Sequence, residues 1–91
     1  MEFQWDQNKA AANFRKHRIS FELATRVFLD SMRIETFDGR ETYGEDRWKT
    51  VGFVESGLLA VVYTVRERND VIRLISARKA DSYERAQYSE I

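Results

Sequence analysis

The sequence predicts an α+β fold, β-α-α-β-β-β-β-α, with an antiparallel sheet packed by helices. Three observations carry this. Apolar spacing is helical in the first third of the chain and alternating after residue 31. The second half is divided by the turn signals Asp38-Gly39, Ser56-Gly57 and Asn69-Asp70. Each helical stretch is preceded by a residue that caps helices: Asp6, Ser20 and Asp81.

In order, Phe3 and Trp5 alternate with Glu2 and Gln4, giving a short first strand. Asp6 then caps a helix over Gln7 to His17, with Ala10, Phe14 and His17 on one stripe and Lys9, Asn13 and Lys16 on another. Arg18-Ile19 interrupts the pattern, and Ser20 starts a second helix through Leu29. Phe21, Ala24, Thr25 and Phe28 form its buried face, with Leu23 and Val27 alongside. Met32, Ile34 and Thr36 then alternate with Arg33, Glu35 and Phe37 as a strand ahead of Asp38-Gly39. Arg47 to Glu55 is the next strand, with Trp48 and Val54 on one face and Val51 and Phe53 on the other. Leu58 to Val65 is apolar enough for a central strand, and Val71 to Ala77 is the last one. Asp81 and Ser82, with Glu84 in the first turn, start a C-terminal helix. Short turns between the later strands imply an antiparallel meander with the helices on one face.

Ninety-one residues, 43% of them apolar, suit a single domain over 1–91 with one modest core. The longest apolar run, Leu58 to Tyr63, falls far short of the roughly 20 residues of a membrane helix. Met1 to Trp5 lacks the basic-then-apolar order of a signal peptide, so a cytoplasmic protein is expected. With no cysteine and one histidine, His17, conventional zinc sites are improbable, and no metal or cofactor is expected. Fifteen bases balance fifteen acids, which argues against binding nucleic acid by bulk charge. The charges are uneven, however. Residues 66–79 hold five bases against Glu67 and Asp70, so a local basic strip is compatible with a neutral chain.

Several strings resemble the BrnT family of toxins. Phe3-Gln4-Trp5-Asp6, with Asn8-Lys9 and Asn13, is similar to its opening strand and helix. Lys16-His17 with Ile19-Ser20-Phe21-Glu22 and Ala24 is similar to its helix–turn–helix join, and Arg47-Trp48 with Gly52 to its second long strand. The fullest match is Ile72-Arg73-Leu74-Ile75-Ser76-Ala77-Arg78-Lys79-Ala80, followed by Glu84-Arg85 and Tyr88. Two features depart from the pattern: Arg18 stands where the family often has glycine, and the loop Arg66 to Asp70 is longer or more basic than usual. The resemblance implies a RelE-like fold and a metal-independent endoribonuclease, the toxin of a type II toxin–antitoxin pair. It also implies a cognate, BrnA-like antitoxin as partner, RNA as substrate, DNA contact only through the antitoxin complex, and no membrane.

Cleaving RNA without metal requires a group to take the 2′-hydroxyl proton, one to protonate the departing 5′-oxygen, and cations facing the phosphorane-like charge. Arg78 heads the candidates, because it stands where the last strand meets the final helix and suits a phosphate clamp. Its alternative is an ion pair with Asp81 or Glu84. Arg73 is assigned to the strand face of Val71, Ile75 and Ala77, either catalytic or buried against an acid. His17 is the one side chain whose ordinary pKa lies near neutrality, with Lys16 as its neighbour, and a half-buried structural histidine is the rival account. Glu45 and Arg47 at the mouth of a strand suit a base and a phosphate ligand, or loop solvation. Lys16, Lys79, Arg85 and Tyr88 join Arg47 as RNA-binding candidates, against a solvated charge for Lys79 and helix docking for Arg85 and Tyr88. Trp5, Trp48 and Phe53 are read as core in preference to base-stacking platforms. The neutral charge leaves one rival function: a non-enzymatic interaction module, a degenerate toxin within an autoregulatory transcription complex.

Overall fold

The structure, a computed structural model, describes residues 1–39, 45–66, 68 and 70–89. Its elements are β1 (Glu2–Gln4), α1 (Gln7–His17), α2 (Phe21–Thr25) continued by a 3-10 turn (Arg26–Leu29), β2 (Ile34–Asp38), β3 (Arg47–Val54), β4 (Gly57–Arg66), β5 (Val71–Lys79) and α3 (Ser82–Ser89). The α+β class and the element order are those the sequence predicts. Five strands form one sheet in the order β1-β5-β4-β3-β2. The expected antiparallel meander is β2 to β5, and β1 adds to it in parallel, Phe3 beside Ile72, so the sheet is mixed. That pairing joins residues some seventy positions apart, which local turn signals cannot reveal.

Local chemistry explains the boundaries. The Asp6 carboxylate accepts from the Asn8 and Lys9 N–H groups (2.7 and 3.1 Å), and these bonds hold its pKa below the ordinary value. Ser20 Oγ accepts from the Leu23 N–H at 3.0 Å. The second helix is shorter than expected: it tightens into the 3-10 turn at Arg26, and only Phe21, Ala24 and Val27 of this stretch are buried. Arg18 closes α1 in the left-handed region (φ 61°, ψ 25°), donating its N–H to the Phe14 carbonyl. This is the conformation that favours glycine, so an arginine here departs from the usual chemistry of such a helix end. Asn69, half of the expected Asn69-Asp70 turn, lies outside the described residues.

The core fills the space between α1, α2 and one face of the sheet. Ile19, Phe21, Ala24 and Val27 meet Val54, Leu59, Val61, Tyr63, Ile72, Leu74 and Ala77 there, with Trp5 and Trp48 packed against them. Trp5 meets Phe21 edge-on at 5.9 Å. Gly52 lets the 3-10 turn approach β3, because a Cβ there would stand 2.7 Å from a methyl of buried Val27.

Three expectations are corrected. The helices do not share one face: α3 packs on the opposite side of the sheet, with Tyr88 against Val51, Ala60, Leu58 and Ala80. Phe53 is not core but 56% exposed: its pairing with Leu58 puts it on that second face, outside the cluster that α3 covers. Asn13, placed on a polar stripe, is the buried residue of α1. The reason is an unfilled sheet edge. Beside β5, β1 pairs only as far as Arg73, which leaves the outer edge of Ala77 without a strand neighbour. The Asn13 amide donates to the Ala77 and Ile19 carbonyls (2.9 and 3.0 Å) and accepts from the Ala77 N–H (3.1 Å), so a side chain takes the place of a strand.

Candidate functional site

The face of the sheet away from α1 and α2 collects the cations. Strand register sets the arrangement. Arg73 of β5 pairs with Thr64 of β4, and Arg47 of β3 comes abreast of Thr64 one residue beyond the Trp48–Tyr63 pair. Ser76, Val62 and Lys49 form the next row, and Arg78, Ala60 and Val51 the one after. Rows on one face lie about 7 Å apart and strands about 4.8 Å apart, so the three rows start within a patch about 14 Å by 10 Å, the span of two or three nucleotides.

Arg73 and Arg78 are five residues apart, and in a regular strand an odd spacing puts them on opposite faces. The register shows why they share one. Val62 pairs with Ser76 while Tyr63 pairs with Leu74, which leaves Ile75 as an extra residue in β5. This bulge resets the alternation. It also corrects the expected company of Arg73: Val71 shares its face, while Ala77 lies in the core on the other side.

Glu84 is the anchor of this patch. Asp81 and Glu84 exchange reciprocal capping bonds (2.8 and 2.9 Å), as their spacing predicts. The same carboxylate, only 2% exposed, accepts both terminal nitrogens of Arg78 (2.8 and 3.0 Å) and Lys49 Nζ (2.7 Å). Four bonds use the whole acceptor capacity of a carboxylate. Burial pushes the Glu84 pKa up, but the Arg78, Lys49 and Asp81 bonds outweigh it and hold the group down at about 2. Arg78 therefore makes the ion pair with Glu84 foreseen as its alternative, while 38% of its side chain still faces solvent.

Beyond this cluster, Glu45 accepts from Arg66 at 3.0 Å and lies 3.6 Å from the Arg47 Nε. Thr64 donates to the Asp46 carbonyl at 2.7 Å, fixing this segment to β4. Arg73 leans towards the sheet edge, lining a hollow with Phe3, Gln4, Trp5 and Gln7, and it acts on the Asp6 carboxylate.

The other candidates are dispersed. His17 and Lys16 close α1, in the layer across the sheet from Arg47, Arg73 and Arg78. Lys79 is exposed at the end of β5 and Arg85 is exposed on α3. Tyr88 donates to Asp30 at 2.7 Å and docks α3. Asp30 also accepts from the Met32 and Phe53 N–H groups (2.9 and 2.8 Å); burial opposes its ionisation, and these bonds prevail and lower its pKa.

Sequence reasoning missed Lys49 and the anchoring role of Glu84. Lys49 follows Arg47 by two residues on an alternating strand, a signal that was available. It also missed a polar cluster on the core-side face, where Tyr63 donates to Glu35, Arg33 bonds Glu35 and Thr50 (3.1 and 3.0 Å), and the Arg33 guanidinium lies 4.8 Å over Phe28. Desolvation, then the Glu35 bond, raises the Tyr63 pKa. Among the described residues no group of three or more His, Cys, Asp or Glu side chains is placed to hold a metal ion, and no helix is long and apolar enough to cross a membrane.

No curated protein matches the chain. A family model described as the ribonuclease toxin BrnT of type II toxin–antitoxin systems matches residues 5–84, from the tryptophan after β1 to the carboxylate that anchors the cationic face. The chain belongs to the BrnT family of ribonuclease toxins of type II toxin–antitoxin systems.

Proposed function

We propose that this chain is a metal-independent endoribonuclease of RelE-like type, acting at the cationic sheet face and neutralised by a cognate BrnA-like antitoxin. The observation that carries the reading is the gathering of Arg47, Lys49, Arg73 and Arg78 on one face of a chain with no net charge. Family membership supplies the chemistry. In the proposed reaction the 2′-oxygen gives up its proton and attacks the adjacent phosphorus, the P–O5′ bond breaks, the departing 5′-oxygen takes a proton from water, and a 2′,3′-cyclic phosphate and a 5′-hydroxyl result. Arg78 faces the charge that builds on the phosphate oxygens, where fixed cations act more strongly than in water, and Arg73, two rows away towards the β1 edge, meets a neighbouring phosphate. Arg47 and Lys49 hold the neighbouring backbone, and Glu45 is assigned as the base for the 2′-hydroxyl. Arg85 extends the path for RNA on α3, with Tyr88 on the same helix, while Lys79 pairs with core residue Leu59 and projects to the other face.

His17 and Lys16 stand in the other layer, and their part in the reaction is separable by mutation. Incubated with RNA in chelator, the wild-type chain should yield cyclic phosphate ends. Arg78→Ala should lower cleavage by at least about 100-fold with the protein still folded, the size of a lost oxyanion-type contact. His17→Ala should cost less than about tenfold, well below the loss of a general acid–base group. Intact RNA across several substrates would sink the ribonuclease reading, and a large His17 effect would move the acid–base chemistry to α1.

In the cell, the antitoxin is proposed to cover the same cations with an acidic surface, and DNA is reached only through that complex. Expression without an antitoxin separates the rival interaction module. Growth arrest supports the toxin, and harmless accumulation of folded protein supports the module.

A further inference from the structure

We propose that Glu84 is a positioning residue of the RNA site: it fixes the Arg78 guanidinium and the Lys49 ammonium in one geometry for a phosphate. The proposal rests on the ribonuclease reading of this face. Arg78 leaves β5 and Lys49 leaves β3, with β4 between them, so neither strand pairing nor sequence proximity sets the distance between their charged ends. One carboxylate does. Its two oxygens take Arg78 Nη1 and Nη2 at 2.8 and 3.0 Å, and Lys49 Nζ at 2.7 Å. Both cations are long side chains with many rotamers, and a bidentate anchor removes that freedom before any ligand arrives.

The anchor is shielded, since Glu84 lies between α3 and the sheet. Glu84 is 2% exposed while the Arg78 and Lys49 side chains are 38% and 27% exposed, so an incoming phosphate meets the cations and not the carboxylate. The Asp81 N–H bond to Glu84 at 2.9 Å makes the first turn of α3 part of the same unit. The site is thus completed only when α3 docks, and Tyr88 bonding Asp30 at 2.7 Å fixes the far end of that helix.

A helix cap alone would affect stability and nothing else. The deciding experiment compares wild type, Glu84→Gln, Arg78→Ala with Lys49→Ala, and the triple variant, each shown folded by circular dichroism. A uniformly 2′-O-methylated RNA measures binding and an unmodified RNA measures cleavage. Glutamine keeps an acceptor for the Asp81 N–H but loses the charge. Glu84→Gln should weaken binding by at least about tenfold and lower kcat by about 100-fold, as expected for misplaced groups. The nitrogen-15 signal of the Arg78 Nε–H should broaden or shift with it. Added to Arg78→Ala with Lys49→Ala, the glutamine should cost nothing further, because Glu84 acts through those two side chains. A folded Glu84→Gln chain with wild-type binding and kcat overturns the proposal, and so does a multiplicative loss in the triple variant. Wild-type binding without cleavage sinks the ribonuclease reading and leaves the positioning role to the binding series. A wild-type chain that neither binds nor cleaves overturns both.

Discussion

At the scale of single residues, two side chains carry more than their type suggests. Asn13 stands in for a strand, satisfying both backbone groups of Ala77 and the Ile19 carbonyl from a buried position. Asn13→Leu strands those groups in the interior, and each unpaired group costs about 1–3 kcal/mol. Chemical denaturation should therefore show a loss of about 3 kcal/mol or more, and a loss below about 1 kcal/mol would mean that Ala77 finds other partners. Glu84 links stability to pH. Its folded pKa of about 2 lies below the ordinary 4.5, so its contribution is present above about pH 4.5 and is lost as pH falls towards 2. A shift of that size corresponds to about 3 kcal/mol. Melts followed from pH 6 to pH 2 should show this acid slope in the wild type and a much flatter one in Glu84→Gln. Parallel slopes would place the acid sensitivity elsewhere. Asn13 was not open to pattern reading, since it falls among polar neighbours; for Glu84 the cap and a pairing with Arg78 were legible, and the second cation, Lys49, was not.

At the scale of elements, β5 holds the fold and the site in phase. Its first half gives Ile72 and Leu74 to the core and Arg73 to the cationic face. After the Ile75 bulge, Ala77 goes to the core and Arg78 to the cations. Removing one residue from a strand flips everything on one side of the cut. Deleting Ile75 should consequently send either Ile72 and Leu74 or Ala77 and Arg78 to the wrong face. The expected outcome is loss of cooperative unfolding, against a shifted but cooperative melt for Ile75→Ala. A deletion variant that melts like the alanine variant would show that β5 can slip without the bulge. Helix caps, the Ser56-Gly57 turn (Gly57 φ +129°) and the apolar length of β4 were all legible, because each depends on residues close in sequence. The bulge was not legible, because Ile72 to Ala77 reads as an unbroken strand and the extra residue appears only against β4.

At the scale of the molecule, charge is separated in space though balanced in sum. Fifteen bases and fifteen acids give no net charge, and among the described residues Glu84 is engaged by Arg78 and Lys49, and Glu45 by Arg66. The proposed RNA contacts therefore lie on one side of a sheet whose other side packs against α1 and α2. Few phosphates can be contacted at once, so binding should weaken only modestly with salt compared with a basic nucleic-acid-binding domain.

What the sequence by itself determined is the α+β class, the element order and, through ordered strings along the chain, the family. These follow from period, capping and turn chemistry, which act over a few residues, and from strings that survive without knowledge of contacts. Only the tertiary structure decided that β1 closes the sheet in parallel, that α3 crosses to the second face, and that Arg73 and Arg78 share it. Those outcomes depend on register between distant strands, and register is fixed by packing a whole layer of side chains at once.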